Sequence, residues 1–124
     1  MSRQGKALHL CREYDRLIDR VNDLTKSIGN ALNGCRLAAE GNVDKNGRTI
    51  THLSEAYASF DIDDRWSSAD RGYHSEAAQL EILSECSSCG IAHKHVHDRK
   101  SARKELGIIK RQMRMIGRKG EDEA

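Results

Sequence analysis

Heptad spacing in the first third of the chain constrains the fold more than any other sequence feature. Eight positions follow one another at alternating steps of three and four residues: Cys11, Tyr14, Ile18, Val21, Thr25, Ile28, Leu32 and Cys35. This spacing places their side chains along one stripe of an α-helix and is typical of helices that pack lengthwise against another helix. Leu17 and Leu24 widen the stripe on one flank. We therefore predict a long helix over residues 6–40, ending at Gly41-Asn42, which is a C-terminal stop signal.

A second helical pattern covers residues 75–117. Its apolar positions in the later part follow the same alternating steps: Ala102, Leu106, Ile109, Met113 and Ile116. Gly90 lies inside the pattern, so a break near residues 87–90 is an alternative to a continuous helix. The chain has no proline and only five aromatic residues among 124, which favours long helices over a β-sandwich or barrel.

Residues 41–74 form the segment between the two predicted helices. Asn46-Gly47 predicts a turn, and Thr51–Phe60 has the pattern of a short helix. Trp66 and Tyr73 are expected to form a small core there, or alternatively to contact a partner.

The predicted fold is all-α, with one domain over residues 1–124. The two long helices are expected to pack as an antiparallel, coiled-coil-like hairpin, and residues 41–74 cap one end of it. Because two helices bury little apolar surface, a homodimer that forms a four-helix bundle is a further expectation.

Positive charge is concentrated near the C-terminus. Residues 94–120 contain ten Lys and Arg but only two acidic residues, whereas the whole chain has a net charge of +2 and ends in an acidic tail at 121–124. Eight of these cations are the candidate binding residues: Arg99, Lys100, Arg103, Lys104, Lys110, Arg111, Arg114 and Arg118. A helix with such a face can offer cations to phosphates or to an acidic protein surface.

The cysteines permit two interpretations. Cys35, Cys86 and Cys89 fall on the helical patterns, and the leading interpretation is that they are buried as small hydrophobic residues, with no cofactor. The alternative starts from the Cys86-x-x-Cys89-Gly90 motif, since such turns present two thiolates to one zinc ion. In that case Cys35, Cys86, Cys89 and His93 would share the metal.

A pattern of residues in the C-terminal third is similar to that of a known group of proteins. The residues that form this pattern are Cys86-x-x-Cys89, Arg99-Lys100-x-x-Arg103-Lys104-Glu105-Leu106-Gly107-x-x-Lys110-Arg111 and Arg114-x-x-Gly117-Arg118. Over about residues 80–119 the chain resembles small proteins of bacteriophage and prophage genomes. The resemblance implies a phage setting, in which small helical proteins commonly regulate transcription or inhibit host machinery, and it transfers no catalytic residue.

The predicted function is non-enzymatic, because no group of residues forms a catalytic constellation. We expect a helical binding protein that engages nucleic acid through its basic C-terminal helix. The alternative is a phage-encoded inhibitor or adaptor that docks on a host complex, such as a nuclease, a polymerase or a CRISPR surveillance complex. No apolar run approaches membrane-spanning length and no secretory signal is evident, so a cytoplasmic location is expected.

Overall fold

The computed structural model describes residues 2–61 and 71–123, and within these it is predominantly helical, which confirms the predicted class. The elements in chain order are α1 (Arg3–Leu32), α2 (Arg36–Ala39), α3 (His52–Tyr57), β1 (Ser59–Asp61), β2 (Arg71–Tyr73), α4 (Glu76–Leu83) and α5 (Ser87–Glu123). No helix in the described part of the chain is both long and apolar enough to cross a membrane. The chain divides into two compact units, one of Met1–Lys26 with His95–Ala124 and the other of Ser27–Lys94.

The first unit is built from the packing of α1 against α5. Leu17 is almost completely buried and packs with Ala102 and Leu106, and partly buried apolar residues surround this cluster, namely Tyr14, Ile18, Val21 and Ile109. The Arg3 guanidinium donates a hydrogen bond to the Ile116 carbonyl (3.2 Å). These contacts join α1 and α5 through the apolar stripes that the sequence places on them.

The buried stripe of α1 is displaced from the predicted heptad positions. Leu10, Leu17 and Leu24 are buried at a spacing of seven, and of the predicted heptad positions within α1 Ile28 is buried, whereas Ile18 is only half-buried and Cys11 is exposed. The leucines predicted to lie on the flank therefore form the centre of the stripe. Leucine at every seventh position is enough to define one face of a helix that packs against a single partner.

The first helix ends at Leu32, eight residues before the predicted end. Gly34 then lies directly against α5, where a Cβ atom would come within 2.5 Å of the Ser88 Oγ. Cys35 follows in an extended conformation (φ −73°, ψ 128°), and the short helix α2 begins only after it. The helix thus ends at the local signal Asn33-Gly34, where only a glycine fits against Ser88, and not at the later Gly41-Asn42.

The second helical pattern is divided into two helices. α4 ends at Leu83 and α5 begins at Ser87, so the pattern breaks at residues 84–86, directly before the range 87–90 given as the alternative, and Gly90 itself lies within α5. α5 also continues beyond Gly117 to Glu123, through residues predicted to form an acidic tail.

The second unit contains the segment predicted as a cap. Thr51 caps α3 by a reciprocal pair of hydrogen bonds with Ser54, which fixes where that helix begins. Leu53 and Ala56 are buried on its inner face. An isolated antiparallel bridge joins Val43 to Thr49 across the Asn46-Gly47 turn.

A short antiparallel pair, β1 with β2, completes this unit and was absent from the prediction. Tyr73 in β2 is 72% exposed and so does not belong to a small core. Trp66 lies outside the described residues.

Candidate metal centre

Four side chains with metal-binding atoms meet inside the second unit. They are Cys35, between α1 and α2; His52, the first residue of α3; and Cys86 and Cys89, at the start of α5. Their ligand atoms all lie within 4.8 Å of one another. Cys35 and Cys89 are fully buried and Cys86 is nearly so. Three thiols and one imidazole at this separation can hold a metal ion.

The start of α5 brings Cys86 and Cys89 together. Cys86 immediately precedes the helix, and its sulfur accepts a hydrogen bond from the backbone amide of Cys89 (Sγ to N, 3.4 Å). The first amides of a helix have no partner within the helix and carry partial positive charge. The Cys-x-x-Cys motif therefore places the Cys86 sulfur against the free amides at the beginning of α5.

The other two ligands come from segments that are distant in sequence. The capping box at Thr51 fixes the beginning of α3, and His52 directly follows it. The Nδ1 atom of His52 lies 3.4 Å from the Cys35 Sγ. The extended backbone at Cys35 directs this thiol toward the imidazole instead of continuing the helix.

Cys35 and Cys89 have pKa values that are shifted in opposite directions. Burial opposes ionisation of Cys35, but hydrogen bonds from the backbone of His52 and Ala38 and from the His52 side chain outweigh it and lower its pKa to about 6. Burial, together with the neighbouring sulfurs, raises the pKa of Cys89 to about 12, although a hydrogen bond from the Leu53 backbone opposes this rise. The Cys35 thiolate therefore forms readily, whereas the Cys89 thiol would release its proton only when a metal ion binds the sulfur.

Three of the four residues predicted for a metal site, Cys35, Cys86 and Cys89, lie together in the structure, but the histidine beside them is not the predicted one. His93 lies outside the cluster, and its Nδ1 forms a hydrogen bond with the Tyr57 hydroxyl (2.5 Å). The histidine in the cluster is His52, which lies 34 residues before Cys86 and was not among the predicted ligands. The local sequence gives one indication of the role of His52: it directly follows Thr51, the residue that caps α3. This cap fixes the backbone at His52.

The eight predicted cations lie on α5 in the first unit. Lys100, Arg103, Lys104, Lys110, Arg111, Arg114 and Arg118 are exposed, whereas Arg99 is half-buried and donates a hydrogen bond to the Thr25 hydroxyl (3.2 Å). The Lys110 ammonium lies 6.0 Å from the centre of the Tyr14 ring.

The cations share one side of the helix. At 3.6 residues per turn they fall within an arc of about 140° around the helix axis. Glu105 lies outside this arc, on the far side of the buried Leu106. We call these eight residues the cationic stripe.

No protein-family model, curated protein or solved structure matches this chain. Within the part of the chain that the structure describes, we infer a function from the Cys/His cluster and the cationic stripe.

Proposed function

We propose that this chain is a non-enzymatic helical protein that binds nucleic acid through the cationic stripe of α5. The observation that carries the proposal is the exposure of seven cations on one side of a single helix. From Arg99 to Arg118 this side extends about 28 Å, at about 1.5 Å of rise per residue. Phosphates recur about every 3.4 Å along each strand of a duplex, so several cations can contact them together.

The charges of the stripe are available to a partner. Among the residues that the structure describes, Lys100, Arg103, Lys104, Arg111, Arg114 and Arg118 form no ion pair or hydrogen bond through their side chains. Tyr14 is the one aromatic ring that the described contacts place beside the stripe, at Lys110. Binding to single strands usually uses several stacking rings, so a duplex is the better fit.

The first unit supports the predicted antiparallel hairpin. Arg3 near the beginning of α1 contacts Ile116 near the end of α5, and Thr25 contacts Arg99. Antiparallel packing is the arrangement that satisfies both contacts. Ile108 and Met115, exposed and seven residues apart on α5, give a second copy of the chain an apolar line on which a dimer can form.

The metal that best fits the cluster is zinc, held by Cys35, His52, Cys86 and Cys89. Three sulfurs and one nitrogen form a ligand set that is common in structural zinc sites. Burial of the cysteines agrees equally with a role as small hydrophobic residues, but that role does not explain an imidazole nitrogen within 4.8 Å of the sulfurs. Because four protein ligands complete a tetrahedral shell, we assign the ion a structural role.

An electrophoretic shift assay with random duplex and single-stranded DNA and RNA, at about 50 and 200 mM salt, tests the proposed binding. We expect the wild-type protein to shift duplex at the lower salt and to lose most binding at the higher one. Arg103→Ala and Arg114→Ala should weaken binding by similar factors on every sequence. The matched control is Arg12→Ala, which removes an exposed arginine from α1 and should leave binding unchanged.

A wild-type protein that shifts neither duplex nor single strand at the lower salt would overturn nucleic-acid binding. The same stripe would then suit an acidic host-protein surface, in keeping with the bacteriophage resemblance and a cytoplasmic setting. In that case Arg103→Ala should weaken capture of a host complex from nuclease-treated lysate, while Arg12→Ala should not.

A further inference from the structure

The two ring nitrogens of His52 have different surroundings. Nδ1 lies 3.4 Å from the Cys35 sulfur, inside the cluster. Nε2 lies 3.9 Å from the Oε2 of Glu85. The imidazole is largely buried, with 15% of its side chain exposed, whereas the Glu85 side chain is 72% exposed. The ring therefore has one nitrogen available to a metal ion and the other next to a carboxylate.

We infer that His52 binds the metal through Nδ1 and that Glu85 is a positioning residue that accepts a hydrogen bond from the Nε2–H group. This inference rests on the proposed zinc centre. A histidine that ligates a metal usually donates its second ring N–H to a carboxylate, a carbonyl or water, which fixes the tautomer and makes the ligating nitrogen more basic. Glu85 is the carboxylate that the structure places at that nitrogen.

The local backbone makes Glu85 suitable for this role. It lies in the turn between α4 and α5, where its amide donates to the Ile82 carbonyl (3.3 Å), and it directly precedes the ligand Cys86. One turn of the chain thus supplies both a metal ligand and the acceptor for another ligand. Because the Glu85 side chain is mostly exposed, rotation about its own bonds can shorten the 3.9 Å separation to a hydrogen bond of about 2.8 Å.

The effect of Glu85 should be on zinc affinity and on the tautomer of His52. Loss of an acceptor to a ligating histidine typically costs about tenfold to a hundredfold in metal affinity. Because Glu85 is exposed, water can replace part of its hydrogen bonding in Glu85→Ala. We therefore expect this variant to lose about tenfold in zinc affinity. Glu85→Gln keeps an acceptor oxygen without charge and should have a smaller effect than Glu85→Ala.

The test combines two measurements on the full chain. Competition with a chelator gives the zinc affinity of the wild type, Glu85→Gln, Glu85→Ala and the control Glu81→Ala, which removes an exposed carboxylate one helical turn earlier. Nitrogen-15 NMR of the zinc-loaded wild type identifies which His52 nitrogen binds the ion. We expect zinc on Nδ1, a proton on Nε2, and affinities in the order wild type and Glu81→Ala, then Glu85→Gln, then Glu85→Ala.

The outcomes separate this inference from the zinc proposal. If the wild type binds zinc through Nε2 of His52, or if Glu85→Ala binds as tightly as Glu81→Ala, the role of Glu85 is overturned while the zinc centre stands. If the wild type binds no zinc, both are overturned. The NMR measurement uses the unaltered chain, so it decides the coordinating atom even if a Glu85 variant folds poorly.

Discussion

Removal of zinc should unfold the second unit, because the ion would join segments that are far apart in sequence. Cys35, His52 and the Cys86–Cys89 pair lie in three different parts of residues 27–94. The helices α2 and α3 have only four and six residues, too few to be stable alone. Their order must therefore come from tertiary contacts, among which the metal ligands are central.

The size of the effect follows from the two loops that the ion closes. The segment from Cys35 to His52 contains 18 residues and the segment from His52 to Cys86 contains 35. The chain-entropy relation for cross-links gives about 3 kcal/mol for the first and about 4 kcal/mol for the second. The sum, about 7 kcal/mol, is comparable with the whole free energy of unfolding of a small domain. The zinc-free second unit is therefore expected to be largely unfolded.

Amide hydrogen exchange and thermal unfolding, with and without a strong chelator, provide the assay. We expect the purified protein to contain about one zinc ion per chain. Chelation should remove protection from the amides of α2 and α3 and lower the unfolding temperature by at least about 10 °C. Cys89→Ser should reproduce the effect, whereas Cys11→Ser removes an exposed thiol outside the cluster and should not. A zinc-free protein with unchanged melting temperature and protection would refute the reasoning.

Three further predictions concern packing and protonation. Leu17→Ala should destabilise the chain by about 2–5 kcal/mol in urea unfolding, because a fully buried leucine leaves a cavity in the core of the first unit. Gly34→Ala should cost about 1 kcal/mol by crowding Ser88, and adding Ser88→Ala should recover most of that loss in the same assay. Zinc affinity should rise with pH near neutrality, since burial raises the pKa of Cys89 to about 12 and the ion must displace its proton. Below about pH 6 the dependence should steepen, because Cys35, with its pKa lowered to about 6, is then protonated as well; chelator competition at several pH values measures both slopes.

Periodicity predicted the helices well because it is a local property. Heptad spacing and the absence of proline indicated both long helices, and the structure has both. The ends of the helices were less predictable. α1 ends at Leu32, directly before Asn33-Gly34, which is a local stop signal of the same kind as the later Gly41-Asn42 on which the prediction relied. The sequence does not show that Gly34 lies against Ser88, a residue 54 positions later, so it does not indicate which of the two signals ends the helix.

The candidate metal ligands also depend on contacts between segments that are distant in sequence. Cys86 and Cys89 form a recognisable local motif, and Cys35 was predicted to share a metal ion with them. The histidine was sought next to that motif, at His93, because the position of His52 depends on the fold of residues 41–58. In the structure His93 bonds to Tyr57, and the capping box at Thr51 directs His52 into the cluster. Spatial neighbours from a turn-rich segment are the part of a site that spacing alone does not predict.

The two functional proposals rest on separate parts of the molecule and can therefore fail separately. All four proposed metal ligands belong to residues 27–94, and all eight cations belong to residues 95–124. The metal proposal depends on short-range coordination chemistry, so it should be insensitive to salt and sensitive to chelators and to pH. Binding of phosphates by the stripe depends on counterion release, so it should be strongly sensitive to salt. Duplex binding that persists after Arg103→Ala and Arg114→Ala but disappears with chelation would place the nucleic-acid interface in the second unit rather than on the stripe.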